Sequence, residues 1–322
     1  MTQSVLSPRL LIFLLFVFLQ AGLASGQTSQ SRLVWVSRDG VEQLLATPPH
    51  VYMGPRLSPD ARTIAIGMLE DGLQVWLLDL SGETLSRFTF QGNNGVPTWT
   101  PDGKRLAFWS DTEGSVNIFW QRADGSGGLE QLRTSTYLDV PFSFSPDGQV
   151  LAFAEVNPTT PGGIWVLQMS DLTAQPFLQT SATLDAPRFS PDGHWLAYIS
   201  DESGRYEVYV QPYPGSGAKY QISTEGGTEP VWNPNGRELF YRNGNKMMAV
   251  NVTTQPTFSA GKPTMLFEGY LLSTQRLPNY DVSADGQRFL MLKANEQAQG
   301  RAQINAVLNW FEELKHRVPS GK

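Results

Sequence analysis

A short turn motif recurs along this chain at intervals that few architectures can accommodate. Leu57-Ser-Pro-Asp60, Trp99-Thr-Pro-Asp-Gly103, Phe144-Ser-Pro-Asp-Gly148 and Phe189-Ser-Pro-Asp-Gly193 are clear copies. Trp232-Asn-Pro-Asn-Gly236 and Val282-Ser-Ala-Asp-Gly286 are degenerate ones. The aligned Asp or Asn positions (60, 102, 147, 192, 235 and 285) are 42, 45, 45, 43 and 50 residues apart. A period in the forties with strand-like content is that of a propeller blade. Residues 187–224 show why. Pro187–Ser190 reads as a short strand, and Ser190-Pro-Asp-Gly193 as a tight turn in which Pro sets φ, Asp bonds its own backbone and Gly accepts positive φ. Trp195–Ser200, Glu207–Gln211 and Lys219–Ser223 follow as three more strands, separated by Gly-containing turns. One four-stranded sheet cannot bury both its faces, so neighbouring repeats must stack.

Counting the repeats fixes the closure. Complete units begin near 55, 97, 141, 187 and 230, but the unit at Tyr280 supplies only two strands, Tyr280–Ser283 and Arg288–Leu292. The missing pair stands at the other end of the chain, as Leu33–Val36 and Glu42–Ala46, joined through Arg38-Asp-Gly40. The expected fold is therefore an all-β, six-bladed β-propeller over residues 32–294, with four antiparallel strands per blade. The N-terminal hairpin completes the last blade and removes the open edges. Beyond it, Ile304, Val307, Leu308, Phe311 and Leu314 recur at helical spacing, which predicts an amphipathic helix over 302–317.

The ends and the composition bound the setting. Arg9 followed by the apolar run Leu10–Leu19 and small residues up to Gly26 has the form of a secretory signal peptide over 1–26, with an uncleaved anchor as the alternative. A periplasmic or secreted protein is expected, with no membrane span once the leader is removed. No cysteine is present, which excludes disulfides, a lipoprotein anchor and thiolate chemistry. A net charge of -6 leaves no broad basic surface for nucleic acid.

The Ser-Pro-Asp-Gly turns followed by apolar strands, as at 145–153 and 190–198, resemble the WD-like propeller repeat of TolB proteins over about residues 32–294. Leu33–Gly40, Trp195–Gly204, Glu238–Gly244 and Val307–Lys315 are similar to the extracytoplasmic propeller attached to bacterial membrane serine/threonine kinases. The resemblance implies the propeller fold and an envelope role in binding or sensing. No kinase motif occurs in this sequence, and no room is left before the propeller for the small domain that TolB carries, so a free-standing module is expected.

Candidates for chemistry are few. No Gly-x-Ser-x-Gly nucleophile elbow occurs. No two of His50, His194 and His316 share a blade, and His316 lies in the expected C-terminal helix, so neither a histidine metal site nor a resident cofactor is expected. The repeated turn aspartates read as turn formers on separate blades, too far apart to share a proton. The best candidates enter the innermost strand of each blade, where they line one mouth of the channel: Arg56, Asp185, Arg188, Glu229, Asn279 and Asp281. Two readings stand side by side there: a polar ligand, peptide or cation held at the mouth, or a water-filled pore whose charges satisfy one another. The expected function is a non-catalytic, monomeric propeller that binds an envelope protein or peptide. The alternatives are a channel-mouth, metal-dependent hydrolase similar to six-bladed lactonases, with Asp185, Glu229 and Asn279 as oxygen ligands, and a small-molecule sensor.

Overall fold

A computed structural model describes residues 30–157, 162–215, 217–269, 277 and 279–295. The expected leader (1–26) and C-terminal helix (302–317) lie outside these residues. The described chain forms six sheets around one axis. Blade 1 is β3 (Val51–Leu57), β4 (Thr63–Glu70), β5 (Gly72–Asp79) and β6 (Thr84–Arg87). Blade 2 is β7 (Asn94–Trp99), β8 (Arg105–Ser110), β9 (Asn117–Arg122) and β10 (Glu130–Arg133). Blade 3 is β11 (Leu138–Phe144), β12 (Val150–Val156), β13 (Gly163–Gln168) and β14 (Ala174–Leu178). Blade 4 is β15 (Leu184–Phe189), β16 (Trp195–Ser200), β17 (Glu207–Pro212) and β18 (Tyr220–Gln221). Blade 5 holds β19 (Thr228–Trp232), β20 (Glu238–Asn243) and β21 (Lys246–Thr253). Its outer strand is split into β22 (Ser259–Ala260) and β23 (Thr264–Glu268), which pair with opposite ends of β21.

Blade 6 is assembled from both ends of the described chain, in the order β2 (Glu42–Leu44), β1 (Ser31–Ser37), β25 (Arg288–Ala294), β24 (Tyr280–Val282). β1 and β25 pair antiparallel over seven residues, with Trp35 opposite Leu290 and Val36 opposite Phe289. The closure expected from the half-repeats is therefore the observed one.

Both faces of each sheet are buried, which explains strands that read as continuous apolar runs rather than alternating ones. Successive residues of a strand point to opposite faces. On β1, Leu33 packs with Tyr52, Ile64 and Leu290 in the layer between blades 6 and 1. Val34 and Val36 pack with Phe240, Met247 and Phe289 between blades 5 and 6. The turn motif also behaves as its residues dictate. The hydroxyl of Ser58, Thr100, Ser145, Ser190 or Ser283 donates to Oδ1 of Asp60, Asp102, Asp147, Asp192 or Asp285, at 2.5–2.7 Å. The same carboxylate oxygen accepts a backbone N–H two residues further on. The turn aspartates are thus engaged locally.

Candidate functional site

The six inner strands surround the axis, and each enters it from the same end. Five begin with a register shift of the kind a β-bulge makes, at Met53/Arg56, Gly95/Thr98, Pro141/Ser143, Asp185/Arg188 and Thr228/Val231. In four of these bulges the residue before the proline has positive φ: Gly54, Val96, Ala186 and Glu229. A bulge re-aims side chains, and here it turns the polar residues of the inner strand toward the axis and the next blade.

All six blade junctions carry a hydrogen bond from this level of the ring. Between blades 1 and 2, Trp99 Nε1 donates to the Arg56 carbonyl at 3.1 Å. Thr98 Oγ1 donates to the Pro141 carbonyl at 3.3 Å between blades 2 and 3. Between blades 3 and 4, Phe189 N donates to Ser143 Oγ, and Arg188 Nη1 to the Phe142 carbonyl at 2.7 Å. Trp232 Nε1 donates to the Arg188 carbonyl at 3.0 Å between blades 4 and 5. Between blades 5 and 6, Asn279 N donates to Glu229 Oε2 at 2.9 Å, and the Tyr280 hydroxyl to the Glu229 carbonyl at 2.8 Å. The closing junction joins blades 6 and 1. Leu57 N donates to Asp281 Oδ2 at 2.8 Å, Arg56 Nη1 to the Tyr280 carbonyl at 3.1 Å, and Gly54 N to Asn279 Oδ1 at 3.0 Å.

Of the six sequence-derived candidates, Arg56, Arg188, Glu229, Asn279 and Asp281 take part in these junction bonds, and Asp185 lies on the inner strand of blade 4 with Arg188. Arg56, Asp185, Glu229 and Asn279 are buried, and Arg188 and Asp281 are partly exposed. Asp281 also accepts from Val282 N, so both its oxygens hold backbone, and Asp185 Oδ1 accepts from Ala186 N. Asp185 and Glu229 come from separate blades, and Asn279 N donates to Glu229 Oε2 across a junction. Among the described residues, no three of His, Asp and Glu stand together in a way that could hold a metal ion. His194 is an exposed residue beside its turn.

Two groups at the axis were not picked out from the sequence. Arg242 on β20 is 1% exposed, and its Nη2 donates to the Gly244 carbonyl. Its signal was present: counted from the inner-strand pairing, its counterparts in the other blades are Gly67, Trp109, Ala154, Ile199 and Leu292, so a cation occupies an apolar position. Tyr280 is completely buried; burial first, and then Glu229, hold its hydroxyl well above the usual phenol range. Burial lowers the pKa of Arg56, partly offset by Asp281 and Glu229. Burial and then the like charge of Arg56 push Arg188 down to about 9, so it remains a cation at neutral pH. A second cluster lies at the same end of blade 3. Arg133 Nε contacts Asp139 Oδ2 at 2.7 Å and Nη2 contacts Glu155 Oε2 at 3.3 Å. Burial raises both acids, Asp139 to about 6.

Fold and axis together define a closed six-bladed propeller whose channel is lined by stitched, mixed-charge inner strands. The model of the TolB beta propeller domain matches residues 15–161 and 136–279, and the chain belongs to that family. Among curated proteins, the chain is similar to the Tol-Pal system protein TolB of Francisella tularensis, with 29% identity over 164 residues, 48% of this chain and 37% of that one. The chain spans about half or less of the length of the curated relatives it matches. Of solved structures, a protein of Agrobacterium tumefaciens assigned as a TolB aligns with a TM-score of 0.66 at 17% identity, over 84% of this chain and 99% of that one. An oligogalacturonate lyase in complex with manganese aligns with a TM-score of 0.54 at 12% identity, over 85% of this chain and all of that one. At these identities the structures share the fold alone, and that fold hosts enzymes as well as TolB proteins. No helix of the described residues is long and apolar enough to cross a membrane.

Proposed function

We propose that this chain is a non-catalytic propeller of the cell envelope that binds a protein or peptide at the channel mouth. It acts after export, in the periplasm or outside the cell, and as a monomer. The observation that carries the reading is the engagement of the axial carboxylates. Glu229 and Asp281 accept backbone N–H groups across blade junctions. A group that holds two blades together is poorly placed to shuttle protons or to enter a coordination sphere, and well placed to make a rigid mouth. Membership of the TolB propeller family favours the same reading. On the face where the inner strands begin, Phe90 is 70% exposed in the link between blades 1 and 2, beside Arg87 at the end of the outer strand β6. Aromatic side chains at a rim are favoured contacts in protein recognition.

The test is photo-crosslinking in the native envelope. A benzophenone amino acid replaces Phe90 on the face that holds the mouth or, separately, Leu172 in a turn at the opposite end of the ring. A discrete adduct from the mouth position alone, reduced by Phe90→Glu in a chain crosslinked from a neighbouring position, is expected. Adducts from the opposite end only, or from neither, would refute the reading. Calcium titration by calorimetry addresses the hydrolase alternative, and saturable heat at the axis would favour it.

A further inference from the structure

The closing junction carries a hollow with an apolar floor. It lies between blades 6 and 1, has a volume of about 460 Å³, and its lining includes Trp35, Leu44 and Leu45 of the blade 6 hairpin and Leu80 of blade 1. That volume falls in the range of spaces that hold an occupant. Trp35, Leu45 and Leu80 pack against the core layer between these two blades and are only partly buried. Leu44 is 58% exposed. The floor therefore carries the core outward to solvent. Ala61 and Asp285 border it from the turns that follow the inner strands, so the hollow is at the end of the ring opposite the mouth. The exposed Phe90, Leu129 and Leu172 stand elsewhere, in separate links and turns of other blades.

The sequence holds a segment that requires such a floor. Ile304, Val307, Leu308, Phe311 and Leu314 recur at helical spacing, and an apolar stripe on one side of a helix has to be covered. The chain leads to this segment from blade 6 itself: after β25, Asn295 N donates to the Gln30 carbonyl beside the start of β1. That point is at the mouth end of the blade, and the hollow is at the other end, beside Arg288. From Ala294 back to Arg288 the strand spans about 20 Å. The stretch from Asn295 to Ile304 can span about 30 Å when extended. The segment can therefore return along its own blade to the level of the hollow.

We propose that residues 302–317 fold back as an amphipathic helix and lay the stripe of Ile304 to Leu314 into this hollow. The occupant is this chain's own segment, and it seals the junction at which the ring closes. Its apolar side chains extend the core layer between blades 6 and 1 and hold the N-terminal hairpin from outside. The mouth, at the other end of the ring, stays open, so the inference stands independently of the protein-binding reading above.

The experiment uses the full chain with Gln43→Cys as its single thiol, because Gln43 lines the hollow and the natural sequence has no cysteine. The rate of maleimide alkylation is measured with and without Leu308→Asp and Phe311→Asp. Those two substitutions should speed alkylation at least about tenfold, since burying one large apolar side chain is worth a factor of ten or more. A Leu172→Cys thiol, on blade 3, should react equally in both backgrounds, and far-UV circular dichroism should not change. A second measurement leaves the stripe otherwise intact. A benzophenone amino acid in place of Phe311 should give an adduct within one chain, mapped by mass spectrometry to residues 43–45 or 80–83. Equal alkylation rates in the two backgrounds, or an adduct mapped to another part of the ring or absent, overturns the inference. Protection of the Gln43→Cys thiol that is lost on dilution, or an adduct joining two chains, also overturns it and assigns the hollow to a second copy. Crosslinking from Phe90 at the mouth face should be the same with and without Leu308→Asp and Phe311→Asp, which keeps the two readings separate.

Discussion

Closure by the N-terminal strand can be tested covalently, because the chain has no cysteine to interfere. Ser37 on β1 faces Arg288 on β25 at the rim of blade 6, as directly opposed residues. Directly opposed strand residues fall within the Cα separation that a disulfide spans. Substituting Ser37→Cys with Arg288→Cys would tie a loop of about 250 residues, for which chain entropy gives roughly 5 kcal/mol at 25 °C as an upper value. Two losses reduce it. Arg288 stacks on Trp35 with its guanidinium carbon 4.7 Å from the ring centroid, worth about 0.5–1 kcal/mol at a rim. The Ser37 hydroxyl contacts to Asp39 and Val41 are minor and exposed. A net gain of about 3 kcal/mol for the oxidised over the reduced double variant is expected, within the range of 2–4 kcal/mol usual for disulfides. For a domain of this size that raises Tm by roughly 6–12 °C. The assay is calorimetric melting with and without reductant, alongside both single variants. A crosslink that does not form in the folded protein under mild oxidation, or that forms without raising Tm, would refute the pairing of β1 with β25 and the six-bladed ring with it.

Three further outcomes follow from named contacts. Arg38 in the hairpin of blade 6 holds Glu238 of blade 5 through two bonds of 2.9 and 2.7 Å and holds Glu238 below the usual carboxylate range. Arg38→Ala should cost about 1–2 kcal/mol in urea unfolding, an effect that fades as acid protonates Glu238. Asp139 has the opposite sign: the folded state holds its proton up to about pH 6, so its contribution is greatest below about pH 4 and is lost as pH rises through 6. Asp139→Asn should flatten the stability profile between about pH 4 and 6, read by urea midpoints; an unchanged slope would contradict the burial of this carboxyl between Arg133 and Glu155. A Cβ on Gly95 would lie 2.8 Å from the Trp109 ring, so Gly95→Ala should destabilise by about 1–3 kcal/mol and shift the tryptophan emission.

The architecture was legible because it rests on features that a sequence carries locally. Turn residues announce each blade, and the two orphan half-repeats announce the closure that Trp35 and Leu290 complete. Residues at the axis could be located by counting back from each turn. Their tasks could not, because a bulged inner-strand side chain can point into the channel or onto the next blade, and packing of the whole ring decides. Ser143 and Asp281 occupy the same repeat position as Arg188, yet each accepts the N–H of a neighbouring inner strand. Arg242 lies on a second strand, outside the positions that counting back from each turn locates, although a cation in an apolar position marks it. The split outer strand of blade 5 has a local cause. Pro263 stands between β22 and β23, and proline has no N–H to offer a ladder.

The ring also shows how a repeating fold acquires an axis that does not repeat. Each junction needs one polar match at the same level, but any donor–acceptor pair of suitable reach will serve. A tryptophan N–H fills the need at two junctions, a threonine hydroxyl at one, a serine oxygen at one and carboxylates at the last two. The backbone geometry is therefore nearly sixfold while the charge is not. Glu229 and Asp281 bond across the junctions that join blades 5, 6 and 1, while Arg188 bonds from blade 4 to the Phe142 carbonyl of blade 3. A symmetric toroid with a uniform lining would hold a polar chain equally well in many rotations. An uneven lining distinguishes those rotations, which is what the proposed recognition of one partner at this axis requires.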